Sequence, residues 1–224
     1  MPKTAAIGTV GVLAGFLIAI PVGIFSATHR DETSDKVATV LTFLSLSLPP
    51  FFLGIVLMVV FSVKLGILPV FGYTPLSEGV VPWLKSIILP GLAVGLPYAA
   101  VVMRMMRSSL LEVLDQQYMT MARAKGVPRQ IRFYKHALQN ALIPVITVAG
   151  INLAMIIGGV VTVEIVFGIK GMGRVVVQSI INRDYTVTQG GMLVLAGGFI
   201  MINLFVDLTY SVIDPRIRYG EENS

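Results

Sequence analysis

The chain has 224 residues, of which 55% are hydrophobic and only 13% are charged, and its mean hydropathy is +0.82. This balance is too apolar for an ordinary soluble domain and predicts a protein surrounded by lipid. Because the chain has no cysteine and only two histidines, its composition excludes a disulfide framework, a thiolate metal site and a multi-histidine metal site. The net charge is +5, but the apolar runs leave too little polar surface for a nucleic-acid-binding protein.

Five apolar stretches meet or approach the roughly 20 residues that a membrane-spanning helix needs. They cover residues 5–25, 37–63, 86–103, 138–163 and 190–213. We therefore expect an all-α, polytopic bundle of about five transmembrane helices, in a single domain over residues 1–224. The first stretch is too long for the apolar region of a signal peptide and lacks a convincing cleavage site, so we interpret it as a span.

Prolines and small residues are placed inside these spans. Lipid-buried helices tolerate proline when neighbouring groups satisfy the freed carbonyls, so we expect kinked, closely packed helices. The interrupting residues are Pro21, Pro49, Pro50, Pro90 and Pro97. In the fourth span Gly150, Ala154 and Gly158 recur every four residues, a pattern that predicts close approach of two helix backbones.

Lysine and arginine are distributed unevenly over alternate connecting segments. Segments 26–36, 104–137 and 214–224 together hold 11 of them, whereas the N-terminus, 64–85 and 164–189 hold 6. Since basic residues are enriched on the cytoplasmic side, segment 104–137 and the C-terminus are predicted to be cytoplasmic. The loops 64–85 and 164–189 and the N-terminus are then predicted to lie outside.

Segment 104–137 contains seven basic and two acidic residues, so its net charge equals that of the whole chain. The apolar side chains predicted to share one face of an amphipathic helix in this segment are Leu110, Leu114, Tyr118 and Met121. We expect this helix to run to about Lys125. Gly126 suits a left-handed helix stop and Pro128 suits the first turn of the next helix. The pattern alone fits equally a segment that lies on anionic lipid headgroups.

The order of the residues in segment 104–137 favours a more specific interpretation. It reads YMTMARAKG over 118–126, then VP, then HALQNALIP over 136–144. These residues resemble the EAA loop of the inner-membrane permeases of binding-protein-dependent ABC importers, in the form found in the dipeptide, oligopeptide and nickel branch. The Glu-Ala-Ala of the general family is Thr120, Met121 and Ala122 here, and the proline comes later, at Pro144, both of which are usual for that branch.

Further matches extend the resemblance over nearly the whole chain. They are SLPPFFLG over 47–54, VEIVFG over 163–168, GMGR over 171–174, NRDY over 182–185 and DPRIR over 214–218. Each match is weak by itself, but all occur in the order and spacing of that branch. Members of the branch normally carry another N-terminal helix and a large outer segment, so this chain is expected to lack one span of a six-span pattern.

The resemblance implies a permease subunit that transports peptides or similar small solutes across the inner membrane of a prokaryote. It implies that loop 104–137 docks as a coupling helix on an ATPase, with the solute path shared by a second permease. The implied docking surface consists of Ala122, Arg123, Ala124, Lys125, Gly126 and Arg129. Further implied partners are two cytoplasmic ATPase subunits, which bind ATP and Mg²⁺, and an extracytoplasmic solute-binding protein. The chain itself has no phosphate-binding G-x-x-x-x-G-K-[ST] motif, so we expect neither enzymatic activity nor a cofactor.

Polar residues inside membrane spans are costly and suggest a transport path or a partner. The candidates for contact with solute are Asn152, Glu164, Asn203 and Asp207. The asparagines also suit simple hydrogen bonds between helices, and Asp207 also suits a position near the headgroups. Two other functions remain open, namely an ion-coupled transporter in which Glu164 or Asp207 binds the ion, and a membrane scaffold that transports nothing. The solute is not specified by the sequence, which suits dipeptides, longer peptides, nickel complexes or sugars.

The predicted orientation can be tested with reporter fusions. A reporter that is active only in the cytoplasm should be active when fused after Asp115 and inactive when fused after Glu78. The uneven distribution of basic residues is the physical reason. A reporter that is active only outside the membrane, fused at the same two positions, is the control, and the reverse pattern would overturn the orientation.

Overall fold

The computed structural model describes residues 1–213, and it describes the side chains there except those of Ala154, Ile202 and residues 205–213. Every regular element within these residues is helical. The α-helices are α1 Pro2–Thr28, α2 Thr33–Ser47, α3 Pro50–Leu57, α4 Val80–Leu114, α5 Gln117–Ala124, α6 Arg129–Ile131, α7 Gln139–Ile151, α8 Leu153–Val166, α9 Met172–Ile181 and α10 Tyr185–Ile213. The π-helices Met58–Lys64 and Arg132–Leu138 and the 3-10 turn Leu76–Glu78 complete the described elements. The predicted all-α class is confirmed.

The helices α1 and α4 form the central pair. Along α1, the residues that face α4 recur every four positions and are buried: Ile7, Gly11, Gly15, Ala19, Gly23 and Ala27. Glycine at this spacing lets two helix backbones come into contact. A Cβ added to Gly95 of α4 would lie 2.5 Å from the carbonyl oxygen of Gly11, so the two backbones leave no room for a side chain there.

The helix α4 is also the support for α7. The Tyr98 side chain of α4 is 1% exposed, and its hydroxyl donates a hydrogen bond to the Ala149 carbonyl at 3.1 Å. Ser109 does the same to the Ala141 carbonyl at 3.0 Å. Since both acceptors are backbone carbonyls inside an apolar bundle, these bonds satisfy the hydroxyl groups that burial would otherwise leave unpaired.

Two of the predicted spans are broken helices. The axes of α2 and of the segment Pro50–Lys64 differ by 114°. The cause is local, because a residue before proline avoids the helical region, and Leu48 accordingly has φ −96° and ψ 130°. The chain also breaks between α7 and α8, where Asn152 has φ −86° and ψ 0°.

The number of spans follows from these breaks. Within the part of the chain that the structure describes, α1 and α4 are each long and apolar enough to cross a membrane alone. Each of the two broken pairs, α2 with α3 and α7 with α8, can supply one further span. The fifth predicted stretch is occupied by α10. The interpretation as a polytopic bundle is therefore confirmed, and one predicted interruption is present at Pro49 and Pro50. The other prolines lie inside the continuous helices α1 and α4: Pro21, Pro90 and Pro97.

Of the small-residue stripe predicted in the fourth span, Gly158 makes no close contact in the described part of the chain. The break at Asn152 separates Gly150 from Gly158, and a Cβ on Gly158 would meet no atom within 4 Å. The close contact lies one residue further, where a Cβ on Gly159 would lie 3.1 Å from a methyl group of Val94. The side chain of Ala154 lies outside the described residues, so the stripe as a whole stays a prediction.

The connecting segments fall at two ends of the bundle, as the alternation predicted. Segment 26–36 contacts the C-terminal part of α4 through a salt bridge between Asp35 and Arg107; we call this the basic end. At the opposite end the Lys3 ammonium lies 5.2 Å from the centre of the Tyr73 ring. There the Gly72 amide also donates to the Phe167 carbonyl at 3.0 Å. Which end is cytoplasmic stays a prediction.

The contact between α1 and α4 leads to a stability prediction. The substitution Gly95→Ala should lower the thermal unfolding midpoint of the detergent-solubilised protein, because overpacking against backbone costs about 1–3 kcal/mol. Far-UV circular dichroism during heating measures the change.

Gly158→Ala is the matched control. The space around Gly158 is open and alanine is the better helix former by up to about 1 kcal/mol, so its midpoint should be unchanged or slightly raised. Equal midpoints for Gly95→Ala and the parent protein would contradict the proposed backbone contact.

Candidate functional site

The predicted helix, turn and helix are present at the basic end. The helix α5 ends at Ala124, Lys125 follows it, and the next residue, Gly126, has φ +74°. The Val127 amide donates to the Ala122 carbonyl at 3.1 Å and the Gly126 amide donates to the Arg123 carbonyl at 3.0 Å. This is the glycine-stopped helix end in which the last carbonyls find donors within the chain. The prediction for Gly126 is confirmed.

The residues of the predicted docking surface are accessible together. Arg123, Ala124, Lys125, Gly126 and Arg129 are exposed and Ala122 is half-buried. A Cβ added to Gly126 would meet nothing within 4 Å. Among the described residues, no acidic side chain forms a salt bridge with any of the three basic ones. The turn therefore presents open backbone beside unneutralised positive charge.

The predicted apolar face of this segment is divided between two helices. The chain is extended at Gln116, where ψ is 147°, so α5 does not continue the rotation of α4. As a result Tyr118 and Met121 are 41% and 59% exposed, and Met119 is buried instead. The predicted endpoint near Lys125 is confirmed, because this residue directly follows α5.

The helix α5 is held against the start of α7. The Asn140 side-chain amide donates to the Tyr118 hydroxyl at 3.2 Å and to the His136 carbonyl at 2.7 Å. Met119 adds an apolar contact with the core. Sequence reasoning did not single out Met119 or Asn140 as anchors, although Asn140 belongs to the motif HALQNALIP.

The sequence did not predict the buried carboxylate of Asp35 at the basic end. Asp35 accepts hydrogen bonds from Arg107 Nε at 2.8 Å and from Arg107 Nη2 at 2.7 Å. The Ser26 hydroxyl and the Asp31 amide also donate to the same carboxylate. Such a two-pronged pair between arginine and carboxylate is geometrically specific. The pair joins the first turn of α2 to α4, near the start of α5.

At the opposite end of the bundle, Glu164 is enclosed by protein groups, whereas a residue of a solute path would be accessible. Its side chain is fully buried. One carboxylate oxygen accepts a hydrogen bond from the Thr4 hydroxyl at 2.6 Å, and the other accepts from the Arg174 amide at 3.1 Å. The Arg174 amide belongs to the first turn of α9, where a negative charge is favoured. Glu164 thus joins α1, α8 and α9, and contact with solute stays a prediction.

The other residues predicted to contact solute are Asn152, Asn203 and Asp207, which belong to the break between α7 and α8 and to α10. The Asn152 side-chain amide donates to the Val148 carbonyl at 2.8 Å, at the break between α7 and α8. Asn203 of α10 is half-buried. The side chain of Asp207 and the motif at 214–218 lie outside the described residues. Among the described residues there is no group of three or more metal-ligating side chains.

Comparison with known proteins identifies the family. The family model of the binding-protein-dependent transport system inner membrane component matches residues 19–219. The chain belongs to this family. It is therefore a multi-pass membrane permease component of an ABC importer, as its resemblance to that family predicted.

Several curated relatives are similar over nearly the whole chain. A probable peptide ABC transporter permease of Sinorhizobium fredii is 39% identical over 219 residues, which is 98% of this chain and 70% of the relative. The glutathione transport system permease GsiC of Pectobacterium atrosepticum is 43% identical over 91% of this chain and 64% of the relative. The dipeptide permease DppB of Alkalihalophilus pseudofirmus is 38% identical over 93% and 68%. The chain thus spans about two thirds of the length of these relatives.

A solved structure has the same fold. An inward-facing structure of the MetNI methionine ABC transporter superposes with a TM-score of 0.74 at 20% identity, and the match covers 95% of this chain and 93% of that chain. At this level of identity the similarity concerns the fold alone.

The environment of Glu164 leads to a second prediction. Glu164→Ala should lower the unfolding midpoint of the detergent-solubilised protein, because each donor left without an acceptor costs about 1–3 kcal/mol. Thermal unfolding and the apparent affinity for solute should be measured together.

Glu112→Ala is the control, since Glu112 is an exposed glutamate at the basic end, and it should leave both quantities unchanged. Glu164→Ala with parental stability but weakened solute affinity would instead support a place in the solute path.

Proposed function

We propose that this permease imports peptides or peptide-like solutes, using ATP that separate cytoplasmic subunits hydrolyse. The observation that carries the proposal is the exposed turn at Gly126, which combines open backbone with unpaired positive charge. The names of three similar permeases refer to peptide, dipeptide and glutathione transport, which supports peptides over nickel complexes and sugars. The proposed assembly contains a second permease, two ATPase subunits and an extracytoplasmic binding protein.

The shape of the docking surface suits contact with a protein cleft. Ala122 and Ala124 have small side chains, and Gly126 has none, so a partner can approach the backbone closely. The absence of a neighbouring atom around Gly126 within 4 Å leaves space for partner side chains. This surface would lie in a cleft of the ATPase, with Arg129 on the following helix at its edge.

The charge of the docking surface suits a partner with an acidic rim. Arg123, Lys125 and Arg129 are exposed and form no salt bridge with the described acidic side chains. Opposite charges on two surfaces accelerate association and fix its orientation. In this role the three residues orient the ATPase and need not contribute much to the affinity.

The connections of α5 suit the transmission of movement. Its N-terminal side follows α4 after two residues, and Tyr118 is tied to α7 through Asn140. A displacement of α5 by the closing ATPases would therefore act on α4 and α7 together. These helices support the bundle, so the displacement would switch the access of the solute path from one side of the membrane to the other.

In this assembly ATP and Mg²⁺ are bound by the ATPase subunits, and the permease binds no cofactor. The basic end of the bundle, with the C-terminus, is cytoplasmic, and the Glu164 end faces the binding protein. The hydrogen bonds that occupy the Glu164 carboxylate support this function over an ion-coupled mechanism in which Glu164 binds the ion, since that mechanism would require an accessible carboxylate there.

The docking surface can be tested with two tryptophan substitutions. Gly126→Trp should abolish retention of the co-expressed ATPase during purification, because the indole would fill the space that the partner occupies. Gly66→Trp is a matched control, since Gly66 has φ +65° and also meets no atom within 4 Å, but lies in the loop at the opposite end.

Both variants carry the same type of backbone strain, about 1–2 kcal/mol, so loss of the ATPase from Gly126→Trp alone isolates the docking role. Uptake of a labelled dipeptide into proteoliposomes, with a proton ionophore added, identifies the energy source. Retention of the ATPase by Gly126→Trp, or uptake that stops when the proton gradient collapses while ATP persists, would contradict the proposed function.

A further inference from the structure

The attachment of α2 to the rest of the bundle is unusual for a membrane helix. Of the residues of α2, all of which the structure describes, the buried one is Asp35. Its apolar residues Val37, Val40 and Leu41 are between 53% and 58% exposed. A helix in a bundle usually packs through apolar or small side chains. Here the best-buried contact is a carboxylate.

A cleft separates the remainder of α2 from its neighbours. Its volume is about 590 Å³, and it is lined by residues of α1, α2 and α4. The α2 side of the cleft includes Ala38, Thr42 and Ser45, and the α4 side includes Ala99 and Met103. A second polar contact between α2 and α4, from the Thr42 hydroxyl to the Met103 sulfur at 3.3 Å, is a weak one. The helix therefore has room to change its angle relative to α4.

The Asp35 carboxylate is saturated by donors from three parts of the chain. Two bonds come from Arg107 of α4, one from the Ser26 hydroxyl of α1 and one from the Asp31 amide in the connection between α1 and α2. The Asp35 side chain is 5% exposed and that of Arg107 is 27% exposed. Because a buried ion pair often adds little net stability, its selective value can lie in fixing one arrangement.

Arg107 lies near the end of α4 that is connected to α5, so a displacement of α5 would act on it. It lies seven residues before the end of α4, which is about 10 Å along a helix, and α5 begins three residues after that end. A second salt bridge, between Arg30 and Asp115 at 3.8 Å, joins the same two regions, but both of its side chains are largely exposed. Exposed pairs contribute little, so Asp35 and Arg107 form the firm connection.

We propose that Asp35 and Arg107 are positioning residues that anchor α2 to α4. Through this anchor, the N-terminal end of α2 follows the movement of α5. The helix pivots at this anchor, and the cleft provides the space for its swing. The movement then reaches α3 through the bend at Leu48. This inference rests on the proposed function, because it requires an ATPase that displaces α5.

The test uses the complete importer, co-purified with its ATPase and reconstituted with the binding protein. The main variant combines Asp35→Asn with Arg107→Gln, which removes both charges and leaves no unpaired buried charge. Solute transported per ATP hydrolysed is measured with a radiolabelled dipeptide. Because the chain has no cysteine, a single Ser45→Cys substitution in the cleft also reports, by maleimide labelling, whether α2 moves on ATP binding.

In the double variant, ATPase retention and ATP hydrolysis should stay at the parental level. Uptake per ATP should fall about tenfold, within the usual range of coupling between sites, and labelling at Ser45→Cys should no longer respond to ATP. The control combines Arg30→Ala with Asp115→Ala and should retain the parental ratio. A purely structural pair would reduce hydrolysis and uptake together, with an unchanged ratio, and that result would overturn the inference.

A parental ratio and parental labelling response in the double variant would overturn it as well. If the double variant is not recovered from membranes, Arg107→Lys replaces it, since lysine keeps the charge but loses the two-pronged geometry. Its ratio should be intermediate, and an unchanged ratio would again contradict the anchor. Absence of the ATPase from the parental preparation would instead count against the proposed function itself.

Discussion

The close contact between the backbones of α1 and α4 constrains the rest of the molecule. Where Gly11 faces Gly95 there is no space for a methyl group, so the two helices have one relative position. Without a hydrophobic driving force between helices in lipid, such contact and interhelical hydrogen bonds supply the association energy. The fixed α4 then supports α7 through Tyr98 and Ser109. The chain then continues from α4 through the extended residue Gln116 and α5 to the exposed turn at Gly126.

Charged side chains of the described residues have partners at two places in the bundle and lack them at a third. Within the described part of the chain, the buried carboxylates Asp35 and Glu164 lie near opposite ends. Each is enclosed by protein donors, which offsets the cost of removing a charge from water. Each joins α1 to other helices, so α1 is tied at both ends. Beyond the bundle, Arg123, Lys125 and Arg129 have no such partner among the described residues. These three unpaired charges lie where a partner protein is proposed to bind.

Features that depend on residues close together in the sequence could be predicted. A glycine followed by Val-Pro after an amphipathic run specifies a helix stop by itself, and the turn at Gly126 formed as expected. The α1 stripe was present in the sequence at the same four-residue spacing as Gly150 and Gly158, but spacing does not reveal which stripe meets a partner helix. The pair between Asp35 and Arg107 joins residues 72 positions apart and has no local signal. The exposure of Tyr118 depended on one extended residue, Gln116, which the apolar period does not encode.

The hydrogen bonds that close the end of α5 have a consequence for the kinetics of assembly. The amides of Lys125, Gly126 and Val127 all donate to carbonyls of α5, so the turn has its final shape before any partner arrives. Much of the entropy of ordering a binding segment is therefore lost during folding of the permease and not at each encounter. A preorganised surface of this kind allows a partner to detach and return without a folding step. Release and rebinding can then keep pace with a repeated cycle.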